Sequence, residues 1–272
     1  MLWKELERLQ MPHSEEVGRL WSQIQKRIQK RIHANRHALA KLGLARFYVA
    51  GGALMPPVPN DYDLFPVGKN DFDHFFKNER GERESQLNTK VWETPNAITY
   101  IIDEVKIQLC KFWNESLIKT VERFDFTHCK LGAEVRRVEK KGAPIFEVTD
   151  VYISEDFIRY RILGYSEYTG VQMCDYPLSS LLRVFKYIKK GYIRSSYDVI
   201  FKILEALLER GYTSEEDFKR QLQGIDVGVE EAEQLDANSE SLKHIYFLLT
   251  GNTITDDKMF ERDMMIGDGY IW

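Results

Sequence analysis

The chain has 272 residues, 43% apolar and 29% charged, with 38 Lys and Arg against 42 Asp and Glu for a net charge of -4. That length exceeds a typical domain of about 100–200 residues, so two packed units are expected, and the composition excludes collagenous and disordered chains. With a slightly acidic total, any contact with nucleic acid has to come from a local basic patch.

Three cysteines, Cys110, Cys129 and Cys174, stand without CxxC spacing. They read as buried thiols rather than as a disulfide framework or a four-cysteine zinc site. The start, MLWKELERL, mixes charge into its apolar residues, unlike a secretory signal. No uncharged apolar run approaches the roughly 18 residues of a membrane span. A cytoplasmic setting without membrane contact is expected by exclusion.

From Ser14, Val17, Leu20, Trp21, Ile24, Ile28 and Ile32 recur at three- and four-residue steps, which predicts a long amphipathic helix. Residues 26–46, its second half and the segment after it, carry Lys26, Arg27, Lys30, Arg31, Arg36, Lys41 and Arg46 with no acidic residue among them. Either a solvated face or a phosphate contact accounts for such a run. RFYVAGG then predicts a strand entering a glycine pair, and NDYDLFPV a second strand. Pro56, Pro57 and Pro59 limit any helix between them to about one turn. DFDHFFKNER is expected to be a surface helix and GERESQLN a polar loop. KVWETPNAITYIID and EVKIQLCKFW are expected as two strands joined by a turn at Asp103 and Glu104. A basic turn is expected around Arg136–Gly142, followed by a strand at APIFEVTDVYI. Beyond Ser154 amphipathic helical runs dominate: PLSSLLRVFKYIKKGY and YDVIFKILEALLERG close on Gly191 and Gly211, and SLKHIYFLLTG closes on Gly251. The expected organisation is a basic helix over 1–45, a sheet-bearing domain over 46–153 and a helical domain over 154–272.

The segment GGALMPPVPNDYD places two glycines after a strand and two aspartates two residues apart. On a strand, Asp61 and Asp63 share a face, and a divalent cation between them offsets their repulsion. Gly51 and Gly52 let a phosphate chain approach the backbone. The order strand, Gly-Gly, loop, Asp-x-Asp resembles the signature of the DNA polymerase β nucleotidyltransferase superfamily. RFDFTHCKLG, Arg123–Gly132, resembles the RRDFTINA motif of the tRNA CCA-adding enzyme and bacterial poly(A) polymerase family. DFIRYRILGYSEYTGVQMCDYPLSSLLRVFKY is similar to the run leading into that family's helical neck, with Arg183 at its arginine. The resemblance spans roughly Phe47 to Gly191. Met55 replaces the family's arginine after the glycines, and Gln108 occupies the position of a third carboxylate.

The resemblance implies an α+β fold: a polymerase β-like palm, a small mixed sheet with flanking helices, followed by an all-helical C-terminal domain. It also implies metal-dependent transfer of a nucleotide from a nucleoside triphosphate to an acceptor hydroxyl, with an RNA 3′ end as the first choice. Asp61 and Asp63 would hold two Mg2+ ions, Gly51, Gly52 and Arg123 the phosphates, Asp125 the sugar or Arg123, and Arg183 would bind substrate. RNA would be held through the basic helix 26–46. The alternative, motivated by Met55 and Gln108, is a catalytically inactive nucleotidyltransferase-fold module that binds nucleotide or protein. The six histidines show no metal-ligand spacing, and His128 inside RFDFTHC reads as a core imidazole ahead of a base.

Overall fold

The computed structural model describes residues 14–54, 61–78, 90–93, 96–140, 142–170, 177–194, 196–211 and 265–266. Its architecture is α+β. The chain divides into one unit of Met1–Leu163 with Met265–Trp272, and a second of Gly164–Met264.

The first unit is built on a mixed sheet of β1 (Arg46–Ala50), β2 (Asp61–Phe65), β3 (Lys90–Glu93), β4 (Ala97–Ile102), β5 (Val105–Cys110), β6 (Leu131–Lys140), β7 (Ala143–Ile153) and β8 (Met265–Ile266). The strand order is β7-β6-β1-β2-β5-β4-β3-β8, and only the β2–β5 pair is parallel. β1 and β2 therefore lie at the centre, and RFYVA is apolar nearly throughout because a central strand is buried on both faces. One face carries Phe47, Val49, Tyr62, Leu64, Ile107 and Leu109. The other carries Tyr48, Ala50, Phe65, Cys110 and Tyr152.

The first face is covered by α1 (Ser14–Ala34) and α2 (Arg36–Lys41), as the apolar stripe requires: Ile28, Ile32, Leu39 and Leu42 are buried there. Gln29 clamps β7, donating to the Phe146 carbonyl at 2.9 Å and accepting from the Val148 N–H at 2.9 Å, and Trp21 Nε1 donates to the Val151 carbonyl at 3.3 Å. These bonds satisfy backbone groups on a strand that pairs on one side only, the groups that otherwise recruit a foreign strand. The opposite face is covered by α4 (Leu117–Glu122), started by Ser116, whose hydroxyl accepts from the Lys119 N–H.

Several expectations change. The region around Arg136–Gly142 is not a basic turn: Arg136 to Lys140 extend β6, and the turn is confined to the last residues, with Gly142 at φ +75°. The ion pairs Arg136–Glu134, Arg137–Glu139 and Lys140–Glu147 neutralise that charge along the ribbon. KVWETPNAITYIID splits into β3 and β4, which pair with each other. The expected surface helix at DFDHFFKNER is α3 (Gly68–Asp73) followed by a wider turn over His74–Asn78, and Phe75 is buried in the core. A two-residue turn does join β4 to β5, with Asp103 and Glu104 at φ +50° and +65°, the left-handed pair that matches strand twist. Cys110 and Cys129 are buried, and Cys174 lies outside the described residues. α5 (Glu155–Leu163) closes this unit.

In the second unit α6 (Pro177–Lys189) packs on α7 (Ser196–Arg210), and Leu178, Leu181 and Val184 of the first and Val199, Ile203 and Leu207 of the second are buried. α6 ends as Gly191 predicts: at φ +71° it donates to the Ile188 carbonyl while Tyr192 N–H reaches Tyr187, a paired C-terminal cap. SLKHIYFLLTG lies outside the described residues. Among the described residues no helix is long and apolar enough to cross a membrane.

Candidate functional site

The glycine–aspartate corner sits where β1 ends and β2 begins. Gly51 takes φ +83°, which glycine alone adopts without strain, and Gly51–Leu54 form a single 3-10 turn. A Cβ on Gly51 would lie 3.0 Å from Phe124 Cε1 and 3.7 Å from Asp63 Oδ2, so the absent side chain is what lets ring and carboxylate converge there. Register places Asp63 between Ala50 of β1 and Gln108 of β5, and Asp61 beside Lys106. Alternation along β2 puts Asp61 and Asp63 on one face, with Tyr62 and Leu64 buried on the other. Asp63 is half-buried; the Asp61 side chain lies outside the described residues.

The Arg123–Gly132 segment forms the wall of this corner. Arg123 ends α4 in an exposed position with its guanidinium over the Phe112 ring at 5.0 Å. Phe112 meets Phe65 at 5.1 Å, and Phe65 meets Phe124 edge-on at 6.1 Å, so an aromatic cluster links Arg123 to the Gly51 turn. Asp125 is buried at 3% exposure, and His128, fully buried in a short 3-10 turn, packs beside Phe126 and Tyr160 as a core imidazole. Gly132 faces α4: a Cβ there would come within 2.6 Å of Val121 Cγ2 and 3.0 Å of Leu117 Cδ1. Arg183 belongs to the second unit, on α6, where it donates to the Ser179 carbonyl and the Ser180 hydroxyl at 3.4 Å.

Sequence reasoning missed the most polar element of this region. Lys130 is buried, with its ammonium 2.8 Å from Asp156 and 3.3 Å from Glu122. Tyr152 donates to Glu122 at 2.5 Å, and Arg159 donates to Asp156 at 2.7 Å. Burial pushes the Asp156 carboxyl up, but hydrogen bonds from Lys130 and Arg159 outweigh it and hold the group below the ordinary range. Glu134 follows the same pattern, with burial opposed by Arg46 and Arg136. The available signal was a lysine directly before the apolar run Leu131–Ala133, which needs a buried partner.

The metal ligands expected from the sequence were two carboxylates, Asp61 and Asp63, and of these Asp63 alone has its side chain among the described residues. Among them no group of three or more His, Cys, Asp or Glu is placed to hold an ion, and the strand neighbour of Asp63 is the neutral Gln108.

A family model described as Gabija anti-defense 2 family protein matches residues 20–160. The chain belongs to the Gabija anti-defense 2 family. A protein of Bacillus phage SPbetaL7 named Gabija anti-defense 2 is 28% identical over 190 residues, covering 65% of this chain and 41% of that relative. The chain thus spans about two fifths of the length of the curated relative it matches. Membership in this family overturns the expectation of nucleotidyl transfer to an RNA 3′ end, together with the transferase, magnesium, nucleotide-binding and RNA-binding character attached to it. The description gives no clear support either to the alternative, an inactive nucleotidyltransferase-fold module that binds nucleotide or protein.

Proposed function

We propose that this protein counteracts a Gabija defence. The observation that carries the reading is the extent of the family match: residues 20–160 run from α1 to α5 and take in the whole Gly51, Asp63 and Arg123 corner. The SPbetaL7 relative, whose name states the same role, supports it.

Within that unit the corner is the part suited to engage a partner. A half-buried carboxylate stands at a glycine turn, and an exposed guanidinium lies over the aromatic cluster beside it. One group accepts and the other donates, a pairing that fixes the orientation of a polar surface.

The test is plating of a Gabija-sensitive phage on cells that carry the defence, with and without expression of this chain. The expected result is recovery of plaques toward the count on defence-free cells. Unchanged plating with protein present at normal levels overturns the proposal. Recovery by the parent but not by Asp63→Asn places the action at the corner, whereas full recovery by Asp63→Asn and Arg123→Ala removes the corner from it.

A further inference from the structure

The residues from Val17 to Asn60 include eight Lys and Arg and no Asp or Glu, leaving 30 of the 38 basic residues to face all 42 acidic ones elsewhere. The structure shows where that excess is displayed. α1 buries Ile28 and Ile32 against the sheet and packs Trp21 and Ile24 at the margin. At 100° per residue the opposite side carries Arg19, Gln23, Lys26, Arg27, Lys30 and His33, all of them exposed. His37 extends the exposed strip onto α2. Among the described residues no carboxylate pairs with Lys26, Arg27 or Lys30.

This differs from the other charged surfaces of the chain. Lys41, Lys69, Lys119 and Lys140 each have a carboxylate partner within 3.2 Å, so their fields are locally cancelled. On α1 Lys26 and Lys30 stand on one ridge about 6 Å apart, four residues at 1.5 Å rise, and among the described residues no carboxylate pairs with either. Such a strip concentrates a polyanion.

The composition of the strip decides among polyanions. Protein interfaces are depleted of Lys at their centres and anchored by aromatic or large apolar residues, and among the described residues none of the exposed large hydrophobics lies on α1. Single-stranded nucleic acid is held by stacking on exposed aromatics, which the strip also lacks. A helix whose exposed side carries Lys26, Arg27 and Lys30 suits the backbone and wide major groove of B-form duplex, whereas the deep, narrow groove of A-form RNA excludes it.

We propose that the exposed ridge of α1, Lys26, Arg27, Lys30 and their neighbours, binds the phosphate backbone of duplex DNA. This binding depends on the helix surface alone and is independent of the anti-defence reading. No base is read, so binding is insensitive to sequence and is governed by counterion release.

The test is fluorescence anisotropy of the purified full chain with a labelled DNA duplex of about 24 base pairs, at about 50 and 200 mM salt. Three cations on three phosphates give a slope near -0.9 per phosphate, so affinity is expected to fall roughly 40-fold between the two salts. The triple variant Lys26→Glu, Arg27→Glu, Lys30→Glu is expected to lose more than tenfold at low salt. The triple Gln variant is expected to lose less, and reversal of Lys69, Lys119 and Lys140 to change affinity little. Circular dichroism confirms folding, and if the Glu variant does not fold, the Gln variant carries the comparison. Absence of binding at low salt, equal loss in the control reversal, or a salt-indifferent affinity overturns the proposal. So does tighter binding of a single-stranded RNA of the same length, or of polyglutamate, which would identify a different class of partner.

Discussion

The two faces of the central sheet are built from the same strands but by different rules. Toward α1 and α2 the strands present Phe47, Val49, Tyr62, Leu64, Ile107 and Leu109, a core of aliphatic and aromatic residues. Toward α4 the same strands present Ala50, Asp63, Gln108 and Gly132, one from each of β1, β2, β5 and β6 in register. The first face is held by burial of apolar area, which tolerates repacking; the second adds to a smaller apolar cluster around Tyr48, Phe65 and Val121 close approach at two glycines and paired charges, which do not. A face built that way can keep polar groups near its surface, and the candidate site lies there.

A graded set of effects is expected from that difference. Phe47→Ala, on the apolar face, is expected to cost about 3–5 kcal/mol in chemical denaturation, because a fully buried ring leaves a cavity. A loss below about 1 kcal/mol would mean that this face is not the main store of stability. Asp156→Ala, which leaves buried Lys130 with Glu122 alone, is expected to cost roughly 2–3 kcal/mol, with most of it recovered by the double variant Lys130→Met, Asp156→Ala. If the double variant is no better than the single, the cluster contributes net stability rather than only satisfying its own charges. Gly132→Ala forces a methyl against Val121 and Leu117, and about 1–3 kcal/mol is expected. The accompanying readout is a shift in near-ultraviolet dichroism as α4 moves off the sheet and the Phe124 cluster is disturbed.

The acid limb sharpens the contrast further. The Asp156 carboxyl is held below its unfolded value of about 3.9, so its contribution is complete above that pH and is lost as pH falls through the folded value. Melting temperatures of parent and Asp156→Asn are therefore expected to differ most near neutrality and to converge in strong acid. A gap that stays constant to the lowest pH would show that the carboxylate's charge is not what stabilises the cluster. Smallest of all, Lys41→Ala breaks an exposed pair with Asp103 at 2.6 Å, each side chain about half exposed, and a change of no more than about 0.5 kcal/mol is expected.

Local rules explain which elements were legible. α1 was visible because Trp21, Ile24, Ile28 and Ile32 repeat at helical spacing, and α6 and α7 because Gly191 and Gly211 follow their last turns. β1 and β2 were visible as an apolar run and an alternation. The second half of β6 was not, since Arg136, Arg137 and Lys140 look like turn chemistry until Glu134, Glu139 and Glu147 are placed beside them. Tandem β3 and β4 merged because only three residues part them, and it is their pairing with each other that shows two strands. At the site, Gly51 and Asp63 were readable as a corner, but the Lys130 cluster was hidden because its members come from α4, β7, α5 and the segment before β6.

By itself the sequence determined the periodicities, the glycine stops, the two-residue turn and the location of the basic excess, because each depends on residues within a few positions of one another. Tertiary structure alone decided the strand order with its parallel β2–β5 pair and the ion cluster around Lys130. Those features arise from charges and side chains meeting across distant parts of the chain, and their energies exist only once water has been removed between them.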